Sequence, residues 1–201
     1  MASLTSATAL AAALAAVAGC FDEPEPAYKT VPPEARVYLK DMGLGDLKSH
    51  VAALKAEVVD YLNLDRNALT NIDEVASLKN LKWLRLNDNR LSALPDIGGL
   101  ASLRRIYLRN NRFGSVPETL KDLPSLTDID LSGNPIADVP GWLAEKKGLE
   151  NISLSRTRVT RLPENLDAWK SLHSLQLGDL SIPAGEMARI RRELPDVAIV
   201  F

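Results

Sequence analysis

A leucine pair returns along this chain at a nearly fixed interval, and that periodicity excludes most folds. Leu81-x-x-Leu84-x-Leu86-x-x-Asn89-x-Leu91 is followed by Leu103-x-x-Ile106-x-Leu108-x-x-Asn111-x-Phe113. Next come Leu126-x-x-Ile129-x-Leu131-x-x-Asn134-x-Ile136 and Leu149-x-x-Ile152-x-Leu154-x-x-Thr157-x-Val159. An earlier copy runs Val59-x-x-Leu62-x-Leu64-x-x-Asn67-x-Leu69, and a later one runs Leu172-x-x-Leu175-x-Leu177-x-x-Leu180-x-Ile182. The steps from Leu62 to Leu84, Ile106, Ile129, Ile152 and Leu175 are 22, 22, 23, 23 and 23 residues. A unit this short cannot shield its own leucines, but stacked neighbours can, so the chain is expected to be a quasi-one-dimensional array.

Leu-x-Leu alternation directs two side chains to one face of a short strand, with the residues between them pointing out. After the second leucine the chain turns, leaving main-chain groups without a strand partner. An asparagine amide carries donors and an acceptor, so Asn67, Asn89, Asn111 and Asn134 are expected to form a ladder that satisfies them. Thr157 and Leu180 stand where that ladder weakens. The return halves read Leu94-Pro95, Val116-Pro117, Val139-Pro140 and Leu162-Pro163, followed by apolar residues every three positions. That spacing suits 3₁₀-like turns or about two turns of helix.

On these residues the chain resembles the leucine-rich repeat family, with six units spanning 58–183. The resemblance implies an α/β solenoid with a concave parallel sheet and short helical or 3₁₀ segments on the convex side. Solenoid ends need caps. Residues 34–57, with EARVYLKDM and DLKSHVAALKAE, are expected to form a helical cap at the N-terminal end. Residues 184–201 are expected to give a helix over about 185–194 and a final strand, with Leu194-x-x-Val197-x-Ile199 repeating the pattern.

The family usually binds protein on the concave face. Three columns of outward residues are expected there. The first begins Tyr61, Trp83, Arg105, Asp128 and ends at Asp196; the second begins Asn63, Arg85, Tyr107, Asp130 and ends at Ala198. The third begins Asp65, Asn87, Arg109, Ser132 and ends at Val200. Taken as residues that do not support the fold, they make Tyr61, Trp83, Arg85, Arg105, Tyr107, Arg109, Asp128 and Asp130 the candidate partner-binding set. Trp, Tyr and Arg are the types enriched in binding hot spots. A competing reading is that Arg105 beside Asp128, and Tyr107 beside Asp130, satisfy one another across strands.

The N-terminal residues are a separate matter. Residues 7–19 (ATALAAALAAVAG) carry no charge. Thirteen residues at 1.5 Å each are too short for a bilayer core of roughly 30 Å, but suit the apolar part of a secretory signal in residues 1–19. Ala16-Val17-Ala18 fits ordinary signal cleavage. Val17-Ala18-Gly19-Cys20 resembles the lipobox of bacterial lipoproteins, which implies lipidation at Cys20. Residues 20–33 would then form a proline-rich tether. The segment MASLTSA departs from the usual positive start of a signal.

Lys and Arg number 24 against 26 Asp and Glu, a net charge of −2, which argues against nucleic acid as a partner. One cysteine excludes an internal disulfide and a cysteine-based zinc site. His50 and His173 are the only histidines; they lie far apart in sequence, and Cys20 is remote from both. No phosphate-binding glycine motif or calcium-loop spacing occurs. The expected protein is therefore not an enzyme and has no cofactor, metal or small-molecule substrate. It is expected to be a monomeric protein-binding module, lipid-anchored at Cys20 to a bacterial cell envelope, on the outer membrane. A structural envelope protein, a secreted one and an intracellular adaptor remain as alternatives.

Overall fold

A computed structural model describes residues 35–54 and 56–201. The segments 1–19 and 20–33, with Cys20, lie outside the described residues. Eight three-residue strands form one parallel sheet in strict chain order: β1 (Arg36–Tyr38), β2 (Tyr61–Asn63), β3 (Trp83–Arg85), β4 (Arg105–Tyr107), β5 (Asp128–Asp130), β6 (Asn151–Ser153), β7 (Ser174–Gln176) and β8 (Ala198–Val200). Parallel neighbours need a crossover, and each is supplied by a short return segment. These are 3₁₀ helices at Asp73–Ser77, Glu118–Leu120 and Asp167–Ser171, a helix α2 at Gly141–Glu145, and turns between β3 and β4.

The central residues of the strands pair in register: Leu62 with Leu84, Leu84 with Ile106, Ile106 with Ile129, Ile129 with Ile152, and Ile152 with Leu175. All six are buried, as are Leu64, Leu86, Leu108, Leu131, Leu154 and Leu177 two positions later. Each contributes roughly 1.5–3 kcal/mol by leaving water. From the return side Leu78, Leu100, Leu123, Leu143 and Trp169 close the same core, which runs unbroken through the stack.

The N-terminal cap departs from the sequence expectation. Among the described residues of this segment the α-helix is confined to Lys48–Ala52 (α1), and Arg36–Tyr38 forms β1 against β2. Val37 and Leu39 are buried with exposed Tyr38 between them, the period of a strand rather than a helix. Asp41 has φ 60° and Gly43 φ 66°, which a continuous helix does not allow. Val37-x-Leu39-x-x-Met42-x-Leu44 is thus another copy of the unit, with Met42 in the asparagine place.

The C-terminal end holds a second correction. Helix α3 (Ala184–Glu193) is present, but Ile199, not Val197, lies opposite Leu175. A ten-residue helix takes up more chain than a 3₁₀ turn, so the step lengthens and the strand slides by two residues. Ala198 therefore ends the first column and Val200 the second, while Asp196 lies before the strand. Arg189 fastens α3 to the preceding coil. Its guanidinium donates to Glu186 Oε1 at 2.7 Å, Glu193 Oε2 at 2.9 Å, and the carbonyls of Leu162 and Pro163 at 3.1 Å each.

Candidate interaction surface on the concave face

The strands hold their outward side chains in rows because the register never slips between β1 and β7. Arg85 and Tyr107 share one row, and Trp83, Arg105 and Asp128 share the next. Arg85 Nε donates to Asp65 Oδ2 at 2.8 Å while its guanidinium lies 5.6 Å from the centre of the Tyr107 ring. Arg105 sits 4.8 Å over the Trp83 ring and 3.4 Å from Asp128 Oδ2. Arg109 lies 3.7 Å from Asp88. Each guanidinium is thereby orientated by a carboxylate, an aromatic face, or both.

Burial divides the candidate set. Tyr61 is 4% exposed, Trp83 7% and Asp128 8%, so these three are elements of the protein's own packing. Tyr61 meets Trp83 edge-on with ring centres 5.9 Å apart, and Ala35 joins them in a small cluster separate from the main core. Asp128 accepts from Thr127 Oγ1 at 2.6 Å and Asn151 Nδ2 at 2.8 Å. Arg85, Arg105, Tyr107 and Asp130 are half-buried, and Arg109 is exposed. The accessible members of the candidate set therefore lie on or just after β3, β4 and β5; Tyr38 on β1 and Gln176 on β7 are also exposed.

The third column overturns the expectation that outward residues leave the fold alone. Asp65 Oδ1 accepts the main-chain N–H of Asn87 at 2.8 Å, and Asn87 Oδ1 accepts that of Arg109 at 2.9 Å. Ser155 Oγ accepts the N–H of Gly178 at 3.1 Å. These short polar side chains each reach one coil onward to pair an N–H just past the strand. Burial pushes the Asp65 carboxyl above its ordinary range, and the Arg85 guanidinium beside it opposes that rise. Burial likewise raises the Tyr61 and Tyr107 phenols. The recurrence of Asp, Asn and Ser at 65, 87, 132 and 155 was the available signal.

A first ladder runs on the other side of that turn. Asn89 Nδ2 donates to the carbonyls of Leu64 and Leu86, and its Oδ1 accepts the N–H of Leu69. Asn67, Asn111 and Asn134 repeat the pattern one coil at a time. Thr157 bonds only to Leu154 and Val159 of its own coil.

The histidines are apart from this face and from each other's chemistry. His173 is exposed, 4.0 Å from Glu150, and His50 contacts Ser49 Oγ at 3.3 Å. Among the described residues no three His, Cys, Asp or Glu side chains are grouped to hold a metal. No described helix is long and apolar enough to cross a membrane.

A model of the leucine rich repeat family matches residues 79–136. A solved leucine-rich repeat protein of Leptospira interrogans aligns with TM-score 0.67 and 32% identity, over 71% of this chain and 37% of that one. An internalin of Listeria monocytogenes aligns with TM-score 0.58 and 18% identity, over 82% of this chain and 51% of that one. The matched region thus spans between about a third and a half of those longer proteins. A comparison with curated proteins gave no match.

Proposed function

Taking the chain as a leucine-rich repeat protein, we propose that it is a non-enzymatic binding module whose protein partner docks on the middle of the concave face. The observation that carries this reading is the accessible, mixed-charge group formed by Arg85, Arg105, Tyr107, Arg109 and Asp130. Its arginines are already held by Asp65, Asp128 and Asp88, so little side-chain entropy remains to be lost when a partner arrives. Both signs of charge lie within one row of another, which suits a folded partner with its own alternating charges. It suits a purely acidic polymer less well, because that would meet Asp130 and Asp128 as well as the arginines.

The anchoring is part of the same proposal. The lipobox-like VAGC supports acylation of Cys20 in front of a proline-rich tether, and such a tether on a bacterial envelope, at the outer membrane, would hold the curved face away from the lipid surface. Radiolabelled palmitate should enter the protein in its native host and be lost in Cys20→Ala; equal labelling of both would remove the anchor from the proposal.

The decisive test of recognition is crosslinking and capture from intact cells. Tyr107→Ala combined with Arg109→Glu should lose the partner while melting within a few degrees of the parent. Undiminished capture would place the contact elsewhere. Trp83→Ala is a poor probe, because a residue this buried would report stability as well.

A further inference from the structure

We propose a second docking site, on the loop edge at the C-terminal ends of the strands, that takes a linear polyanion. The repeat places an arginine directly after the ladder position three times: Asn89-Arg90, Asn111-Arg112 and Thr157-Arg158. The fold does not require it, since Ala68 and Pro135 occupy the same position in other coils. The main chain holds the three in line. The N–H of Arg90 donates to Leu69, that of Arg112 to Leu91 and that of Arg158 to Ile136, at 2.9, 2.7 and 2.7 Å, so each stacks on the coil before it.

All three side chains are exposed, as is Arg156 beside them, and none of the four has a carboxylate within ion-pair distance among the described residues. Most other arginines differ: Arg66, Arg85, Arg105, Arg109, Arg161, Arg189 and Arg192 have acidic partners, while Arg104 and Arg191 show none among the described residues. Four guanidiniums without an acidic partner are thus gathered on one edge of a chain whose net charge is negative.

Coils rise by roughly 5 Å, so Arg90 and Arg112 stand about 5 Å apart at the main chain and Arg158 about 10 Å further on. Like charges in adjacent coils repel, and no carboxylate among the described residues pairs with them directly. A chain carrying phosphate, sulfate or carboxylate groups at a similar spacing would meet several at once. A flat anionic membrane fits less well, because Asp88, Asp138 and Asp179 flank the row in neighbouring turns and would face it too.

The test titrates the full chain with fluorescent polyphosphate and dextran sulfate, with neutral dextran as reference, at several salt concentrations. The parent should bind both polyanions with a steep salt dependence. Arg90→Gln/Arg112→Gln/Arg158→Gln should weaken binding about ten-fold or more and flatten that dependence. The control Lys79→Gln/Arg104→Gln/Lys147→Gln removes the same charge from exposed positions elsewhere and should bind like the parent. Equal loss in both triples would reduce the effect to net charge and overturn the proposal. So would capture by phosphatidylglycerol vesicles without binding to soluble polymer, or no binding by the parent. The concave variant Tyr107→Ala/Arg109→Glu should keep polymer binding, which separates this site from the partner face.

Discussion

The side-chain amide of Asn89 donates to the main-chain carbonyl of Leu64, 2.9 Å away in the preceding coil, so one side chain closes two turns at once. Asn111 makes the same link to Leu86 and also accepts the N–H of Leu91 at 3.0 Å, in a fully packed setting. Asn111→Ala leaves those groups buried without partners, at about 1–3 kcal/mol for each group that water cannot reach. A loss of about 3 kcal/mol in urea unfolding is expected. Thr157→Asn should go the other way by about 1 kcal/mol, because the longer amide regains the reach to the preceding coil that the hydroxyl lacks. A stability for Asn111→Ala within 0.5 kcal/mol of the parent would mean the ladder is decorative.

Gly133 occupies the turn position that Arg66, Asp88, Asn110 and Arg156 fill in other coils, all at positive φ. With φ 68° it also lies close against the coil before it, since a Cβ there would run into the Asn110 side-chain oxygen. Gly133→Ala is therefore expected to cost about 1–2 kcal/mol from backbone strain, and more from the collision. Shortening the obstacle in Gly133→Ala/Asn110→Ser should restore part of the loss. Simple additivity of the two changes would show that the collision is relieved some other way.

Much of this architecture was legible because the same inward positions recur six times with aliphatic changes and, at Phe113, a single aromatic one. The parts that were not legible are those where a copy is singular. Val37 and Leu39 alternate as a strand should, but they lie 25 residues before Leu62 and Leu64, with Met42 in place of asparagine. The register of β8 turned on the length of α3, which periodicity does not measure. For the candidate site, sequence placed Arg85, Arg105 and Tyr107 in adjoining rows, and they are there. It did not distinguish them from Tyr61 and Trp83, since burial of an outward residue depends on its neighbours and not on its own position in the unit. Asp65 and Asn87 were read as free surface because a side chain that satisfies the main chain one coil away leaves no trace in a pattern of apolar residues.

Trp169 is the largest fully buried side chain, and it fills the convex side where α2 packs on the next return segment. Its indole N–H donates to the Leu143 carbonyl at 2.9 Å. Trp169→Phe retains most of the volume but leaves that carbonyl with only the longer bond from the Lys146 N–H at 3.4 Å, for an expected loss of about 1 kcal/mol. Trp169→Ala opens a cavity as well and should lose about 3–5 kcal/mol. Thermal unfolding followed by circular dichroism would rank them; equal losses would assign the whole effect to the hydrogen bond.

The fastening of α3 should make stability depend on pH. The Arg189 guanidinium, donating to Glu186 at 2.7 Å, holds that carboxyl below its ordinary range, and the Leu162 N–H adds to the effect. Because the folded value is depressed, the stabilisation is complete above the unfolded carboxylate's range and is lost as pH falls through the folded value. Glu186→Gln keeps the shape and removes the titration. Parent and variant should differ most in melting temperature at pH 7 and converge as pH falls through the depressed folded value, below which both side chains are neutral. Arg189→Met should be lower than the parent at every pH where Glu186 is ionised, since it strands the carboxylate beside an apolar chain. Arg189→Lys should recover little of it, because one ammonium cannot serve two carboxylates and two carbonyls in the guanidinium's fixed fork. A difference between parent and Glu186→Gln that stays constant from pH 7 to the acid limit of the folded protein would show that Glu186 holds α3 by shape and hydrogen bonding, and not by its charge.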